Sequence, residues 1–514
     1  MKNFLLIVGL LLPMVAFSQR TRVTVSAGII EGTINAEGDI RIYKGIPFAA
    51  PPVGDLRWKA PQPVQPWEGV KKCTAFGPSP MQAKPQPFMF WSSEFLIPEE
   101  PISEDCLYLN VWSGAETADE ARPVLVYIYG GGFRSGGAGC PIYDGEAMAK
   151  KGVVFVSINY RVGAFGFLAH PELSEEAPYS TSGNYGILDM IAALRWVQSN
   201  IAAFGGDPGN VTIAGQSAGA FGVNFLTASP LAEGLFHRAI AQSGGSFYTR
   251  PSRPGLDLAG AEQMGVDFAN SLDCQSLSDL RSKSAEEIHK AQGGPAWPVV
   301  DGHVLPESIY DIYKNGLQND VPLLVGWNGD DLIFTQTKEA DEFRAQMKER
   351  FGNLSEAFFE AYPAETTKQA TKAQLDVSRD ETFGIQVYTW AKLQTQTGKS
   401  PAYIYNFNRK VPAHTPETEF GAFHSGEIVY AYNNLHTLDR PWEPVDKKIA
   451  EVMSSYWVNF AKAGDPSGPG LPAWKPYDPK QEQVLVIDKT IEAKTLPTKK
   501  KMAFWEQYFT SAKK

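Results

Sequence analysis

Cysteine is scarce: the 514-residue chain has four, at positions 73, 106, 140 and 274. No Cys-x-x-Cys and no spaced histidine pair accompanies them, so they do not make a zinc site. No metal and no cofactor is expected. Long apolar runs are scarce too. Beyond residue 18 no stretch is long and apolar enough to cross a bilayer. A basic excess is missing: 47 Lys and Arg face 57 Asp and Glu, a net charge of −10. That balance does not favour nucleic acid or an anionic membrane surface as a partner. Internal repeats and low-complexity tracts are absent, and single-sign runs are short, such as residues 499–501. Glycine (47) and proline (37) are plentiful and spread along the chain, which fits many turns.

The first 18 residues read as an export signal. Lys2 supplies the positive start, residues 4–17 are apolar, and Ala16-Phe17-Ser18 is a small-x-small cleavage site. A membrane anchor is the competing reading, but the run is short for a bilayer span. No cysteine stands near the cleavage point to carry a lipid. The chain is therefore expected to be secreted or periplasmic, without a membrane anchor. In an exported chain disulfides are permitted; four cysteines allow three full pairings, and the sequence alone does not choose.

Apolar, uncharged runs at 124–129 (VLVYIY), 153–160 (VVFVSINY), 211–214, 239–242 and 323–325 predict buried strands. Residues 402–407 and 484–487 look like later ones. Between them lie helical patterns, as at 185–204, where Ile187, Leu188, Ile191, Leu194 and Trp196 recur near helical spacing. This alternation predicts a doubly wound, mostly parallel α/β sheet. Residues 22–46 read instead as short antiparallel strands. No linker is evident, so residues 19–514 are expected to form one domain with insertions. The segment 81–102, rich in proline and aromatics (Phe88, Phe90, Trp91), reads as a long surface loop of the functional kind.

The strand at 211–214 runs into Gly215-Gln216-Ser217-Ala218-Gly219, with a helical stretch after it. Gly-x-Ser-x-Gly between strand and helix is a nucleophile elbow. The turn is sharp, so only small residues fit around the serine, whose hydroxyl is lifted to the carboxyl edge of the sheet. A bare pentapeptide is also a common chance match; its setting raises its weight. A second element, Tyr129-Gly130-Gly131-Gly132-Phe133, again ends a strand. Three glycines make either a flexible turn or an oxyanion hole, whose N–H groups need unobstructed approach. The donors expected are Gly131, Gly132 and Ala218.

Taken together these stretches resemble the type-B carboxylesterases, the α/β-hydrolase family that includes cholinesterases and bacterial para-nitrobenzyl esterases. The resemblance extends from about Gly28 to the C-terminal region. It includes Gly45-Ile46-Pro47-Phe48-Ala49, residues 104–112 (EDCLYLNVW), Asn159-Tyr160-Arg161 and Gly206-Asp207-Pro208-Gly209-Asn210-Val211-Thr212. Tyr129 stands where the lipase pattern has His.

The resemblance implies the remaining site residues. The family's acid segment reads Gly326-Trp327-Asn328-Gly329-Asp330-Asp331-Leu332 here, which puts the acid at Asp331, where the family usually has Glu. Asp is one methylene shorter, so the imidazole must sit nearer or the loop must shift. Leu332 replaces a glycine, and Asp330 is the lesser candidate for the acid. An exposed acidic turn is the bland alternative. The base is implied at His424, in Gly421-Ala422-Phe423-His424. The order Ser217, Asp331, His424 is that of the fold. The resemblance also implies a Cys73–Cys106 disulfide with Cys140 and Cys274 unpaired, ion pairs Arg57–Glu104 and Arg161–Asp189, and support of the acid by Ser243.

The expected activity is exported ester hydrolysis through an acyl-serine, on an ester of a small molecule or of a carbohydrate. An amidase or peptidase would use the same parts, and a non-catalytic binding relative would usually lack one. Phe133 and the aromatics at 88–91 are expected around the acyl pocket or entrance. The sequence is silent on the natural ester and on the oligomeric state.

Overall fold

A computed structural model describes residues 21–249, 257–291, 293–332 and 336–511. The export signal expected at residues 1–18 lies outside the described residues.

The core is an 11-stranded sheet. Its strands are β1 (Thr33–Ile34), β2 (Arg41–Pro47), β3 (Tyr108–Ser113), β4 (Arg122–Ile128), β5 (Val154–Ile158), β6 (Gly206–Gln216), β7 (Arg238–Gln242), β8 (Leu323–Asn328), β9 (Ala402–Phe407), β10 (Gln483–Ile487) and β11 (Ile491–Thr495). Their spatial order is 11-10-9-8-7-6-4-5-3-2-1. From β4 to β10 all run parallel, and antiparallel strands close both edges. The apolar runs of the sequence are the parallel centre: Val124, Leu125, Val126 and Ile128 of β4 are fully buried, as are Val154 to Val156 of β5. Strands apolar on both sides need cover on both sides, and helices pack on both faces.

The helices that bear on the site are α1 (Tyr185–Asn200), α2 (Ala218–Ala228), α3 (Thr367–Arg379), α4 (Ile385–Thr397), α5 (Pro444–Ala463) and α6 (Lys499–Ser511). Between α3 and α4 the chain makes one π-helical turn, Asp380–Gly384. The helix expected at 185–204 is α1 followed by a 3₁₀ turn, Ile201–Phe204. The start of the chain is antiparallel as expected, but Arg22–Val25 and Gly28–Glu31 belong to a separate three-stranded sheet with Val70–Lys72.

The two ion pairs implied by the resemblance are present. Arg57 meets Glu104 at 2.6 Å, and Arg161 meets Asp189 at 2.7 Å with both nearly fully buried. The Cys73–Cys106 disulfide is not: all four cysteines are free, buried thiols. Cys73 is held in a strand-like ladder, its N–H donating to Glu31 O and its O accepting from Lys44 N–H, each at 2.8 Å. Its Sγ points at the Gly45 carbonyl, 4.0 Å away. Cys106 instead lies beside the Arg161–Asp189 pair. The two side chains are spoken for by different surroundings. Burial pushes Cys73 up to about 11 and Cys106 well above the ordinary thiol value, so both stay protonated and unreactive at neutral pH.

Candidate active site

The elbow is built by glycine. A Cβ on Gly215 would sit 2.4 Å from the Gly219 carbon, and a Cβ on Gly219 would sit 1.9 Å from the Ile128 oxygen of β4. Neither position admits a side chain, so α2 presses directly on the sheet. Ser217, between them, takes φ 55° and ψ −124°, a region costing about 1–3 kcal/mol for a non-glycine residue. Its N–H donates to Gln242 O at 2.9 Å and its O accepts from Phe221 N–H at 2.9 Å, so both neighbours fix the strained turn. The N-terminus of α2 opens at Ala218, whose N–H is one of the helix's orphan donors.

His424 stands over this serine. Its Nε2 is 2.9 Å from Ser217 Oγ and its Nδ1 is 2.6 Å from Asp331 Oδ1. Asp331 is completely buried. Its second oxygen accepts from Ser243 Oγ at 2.6 Å and from the Asn328 N–H at 2.9 Å. An ionised carboxylate is acceptor-only. These two donors therefore hold Asp331 and leave Oδ1 for the Nδ1–H of the ring. Asp330 points elsewhere: its Oδ2 accepts from Ala422 N–H at 2.8 Å and its N–H donates to Ala422 O at 3.0 Å. Asp330 thus ties the acid loop to the histidine loop and does not meet the imidazole.

The glycine loop lies against the elbow. A Cβ on Gly130 would come 3.0 Å from the Ser217 Cβ, and one on Gly131 would come 2.2 Å from the Ser135 oxygen. Gly132 has open space but a φ of +64°, which disfavours side chains on conformational grounds. Among the described residues no protein acceptor takes the N–H of Gly131 or Gly132.

These elements share one cavity of about 550 Å³, lined by Gly131, Gly132, Ser217, Ala218, His424 and parts of the segment 82–97. Phe88, Trp91, Phe95, Phe221 and Phe383 supply its apolar wall. The expected role for Phe133 is corrected. It is fully buried, packed on Tyr160, Phe167, Phe225 and Trp297 behind the glycine loop. It has a backbone φ of 58° and does not line the cavity.

Several residues at the site carry no sequence motif. Phe383, on the π-turn, stacks on the His424 ring at 4.7 Å and 14°. Trp91 Nε1 donates to Ser425 Oγ at 3.4 Å, and Ser425 Oγ donates to Gln216 Oε1 at 3.2 Å. Glu427 is fully buried three residues after His424 and accepts from Gln242 Nε2 at 3.2 Å and from Asn328 Nδ2 at 2.5 Å. Burial, then the charge of nearby Asp331, pushes the Glu427 carboxyl up to about 7. Only their closeness in sequence to a motif, as for Glu427 and Ser425, could have drawn attention to them.

Residues 19–505 match the Carboxylesterase family. A fumonisin B1 esterase of Sphingopyxis macrogoltabida is 37% identical over 486 residues, covering 89% of this chain and 84% of that protein. The para-nitrobenzyl esterase of Bacillus subtilis is 33% identical over 499 residues, covering 93% and 97%. A solved structure of PNB esterase superimposes with a TM-score of 0.81 at 31% identity, covering 94% of this chain and 99% of that one. Among the described residues no helix is long and apolar enough to cross a membrane.

Proposed function

The chain belongs to the carboxylesterase family of carboxylic ester hydrolases, and from that footing we propose that it works through an acyl-enzyme on Ser217, with His424 as base and Asp331 as acid. The observation that carries this reading is the unbroken chain of contacts: Ser217 Oγ to His424 Nε2 at 2.9 Å, and His424 Nδ1 to Asp331 Oδ1 at 2.6 Å, at the floor of the cavity.

The steps follow from that order. Neutral His424 accepts at Nε2 and carries its proton on Nδ1, toward Asp331. Ser217 Oγ attacks the ester carbonyl as its proton passes to Nε2. Negative charge moves to the former carbonyl oxygen, which takes the N–H groups of Gly131, Gly132 and Ala218. Asp331 stabilises the imidazolium without taking its proton. The tetrahedral centre collapses, the C–O bond to the alcohol breaks, and Nε2 returns the proton to the leaving oxygen. Water then enters, gives a proton to Nε2 and attacks the acyl carbon. Collapse releases the acid and restores Ser217.

The substrate reading is an ester with substantial apolar bulk, carried on a small molecule or a carbohydrate. A cavity of about 550 Å³ lined by Phe88, Trp91, Phe95, Tyr143, Phe221 and Phe383 supports it. Residues 19–514 are read as one catalytic domain, and residues 1–18 as an export leader removed near Ser18. The family match begins at residue 19, directly after it.

The test is hydrolysis of aryl esters of graded acyl length by the wild-type chain and by Ser217→Ala. Turnover that survives in Ser217→Ala sinks the mechanism. The amide counterpart of the best ester separates an esterase from an amidase.

A further inference from the structure

The acid of this site is short, and one buried arginine accounts for how it reaches. We propose that Arg379 is a positioning residue that fixes the acid loop at the depth where Asp331, rather than a longer Glu, meets His424. The proposal rests on the reading of Ser217, His424 and Asp331 as the reacting set.

Asp331 gives up one methylene, about 1.5 Å of reach, yet its Oδ1 stands 2.6 Å from His424 Nδ1. Either the imidazole or the acid loop makes up the difference, and the loop is clamped just upstream of the acid. At Gly329 the N–H donates to Phe407 O of β9 at 2.8 Å, and the carbonyl accepts from Arg379 Nη1 at 2.8 Å. A Cβ at Gly329 would fall 2.5 Å from Oδ1 of Asn408, the residue just after β9, and 3.6 Å from the Phe407 carbonyl oxygen, so the loop packs directly on the end of that strand.

Arg379 is itself immobilised. Its Nε and Nη2 form a fork on Asp380 at 2.7 and 3.0 Å, and Nη1 also meets Asp376 at 3.0 Å. Asp380 is fully buried and accepts from Tyr362 at 2.9 Å, whose hydroxyl in turn accepts from Trp505 Nε1 of α6 at 2.8 Å. The guanidinium thus spends its planar fork on Asp380 and shares its remaining nitrogen between Asp376 and the loop carbonyl of Gly329. A lysine has three donors on a single nitrogen and cannot offer a planar fork to one carboxylate and a separate nitrogen to the loop. Buried ion pairs contribute little net stability; what this one supplies is direction. The π-turn that begins at Asp380 also carries Phe383 onto the His424 ring. One element therefore sets the acid and the base relative to each other.

The experiment measures kcat, KM and thermal midpoint for Arg379→Lys, for the charge-neutral pair Arg379→Gln with Asp380→Asn, and for Asp331→Glu and Asp331→Asn in the wild-type background. Asp331→Glu is also placed in each Arg379 background. Loss of the clamp is expected to lower kcat about 10- to 100-fold, the scale of a small misplacement of a reacting group, with KM within about twofold. Asp331→Glu is expected to lower kcat in the wild type and to raise it in a folded Arg379 background, because the longer acid compensates for the released loop. A merely structural role moves the thermal midpoint and leaves the effect of Asp331→Glu the same in every background; that additivity overturns the proposal. So does wild-type kcat in either folded Arg379 variant. Wild-type kcat in Asp331→Asn shows that the underlying acid assignment has failed and takes the proposal with it.

Discussion

His424 Nδ1 lies 2.6 Å from Asp331 Oδ1, while the neighbouring Asp330 bonds the backbone of Ala422. Two adjacent carboxylates therefore hold two different objects, one an imidazole and one a loop. Asp331→Asn is expected to lower kcat by a factor on the order of 10³–10⁴ by disturbing the tautomer. Asp330→Asn keeps an acceptor for Ala422 and is expected to stay within about threefold of wild type. Steady-state kinetics of the two variants decide the matter; a larger loss in Asp330→Asn reverses the assignment.

The glycine loop makes a second prediction. Gly131→Ala forces a Cβ to 2.2 Å from the Ser135 oxygen, so the loop must move and its N–H groups with it. The expected cost is about 10²–10³ in kcat, as for loss of one oxyanion donor. KM for a neutral ester is expected to change little. A rise in KM with kcat unchanged would mean that the loop binds ground state and transition state alike.

Glu427 introduces a pH dependence of stability. Its carboxyl is pushed up to about 7 by burial and by Asp331. The folded value lies above the unfolded one, so its contribution is fully present below about pH 4.5 and is lost as pH rises through about 7. Glu427→Gln mimics the protonated form. Between pH 5 and pH 8 the thermal midpoint of the wild type is expected to fall relative to that of Glu427→Gln. Parallel curves would show that Glu427 does not titrate in this range.

The free thiols make the simplest prediction. Thiol titration of the unreduced, denatured protein is expected to find four thiols per chain. Two would restore the Cys73–Cys106 bond.

Much of this was legible in the sequence, for identifiable reasons. Parallel strands are buried on both sides, so β4, β5 and β8 announce themselves as unbroken apolar runs. The elbow and the glycine loop are local: their chemistry lies in consecutive residues, because steric closeness within one turn dictates them. Asp331 and His424 lie 93 residues apart and carry no local signature strong enough alone; resemblance located them. What stayed hidden depends on tertiary packing. Phe133 is an aromatic beside the glycine loop, as a pocket residue would be, but it packs in the core on Tyr160, Phe167, Phe225 and Trp297. A cysteine's pairing depends on which loop crosses it, and Cys73 and Cys106 face different neighbours. Phe383 reaches the His424 ring from a π-turn, a register change that no hydrophobic period records, and Arg379, at the end of α3, meets the Gly329 carbonyl across 50 residues of sequence.

The central claim is that ester turnover passes through an acyl group on Ser217. The most direct measurement is an acid quench of the enzyme during turnover of an aryl ester, followed by peptide mass spectrometry. The peptide containing Ser217 is expected to carry the added acyl mass, with its amount rising to a steady level within the burst and vanishing in Ser217→Ala. Rapid turnover with no acylated peptide, or with the acyl group on another residue, would contradict the account.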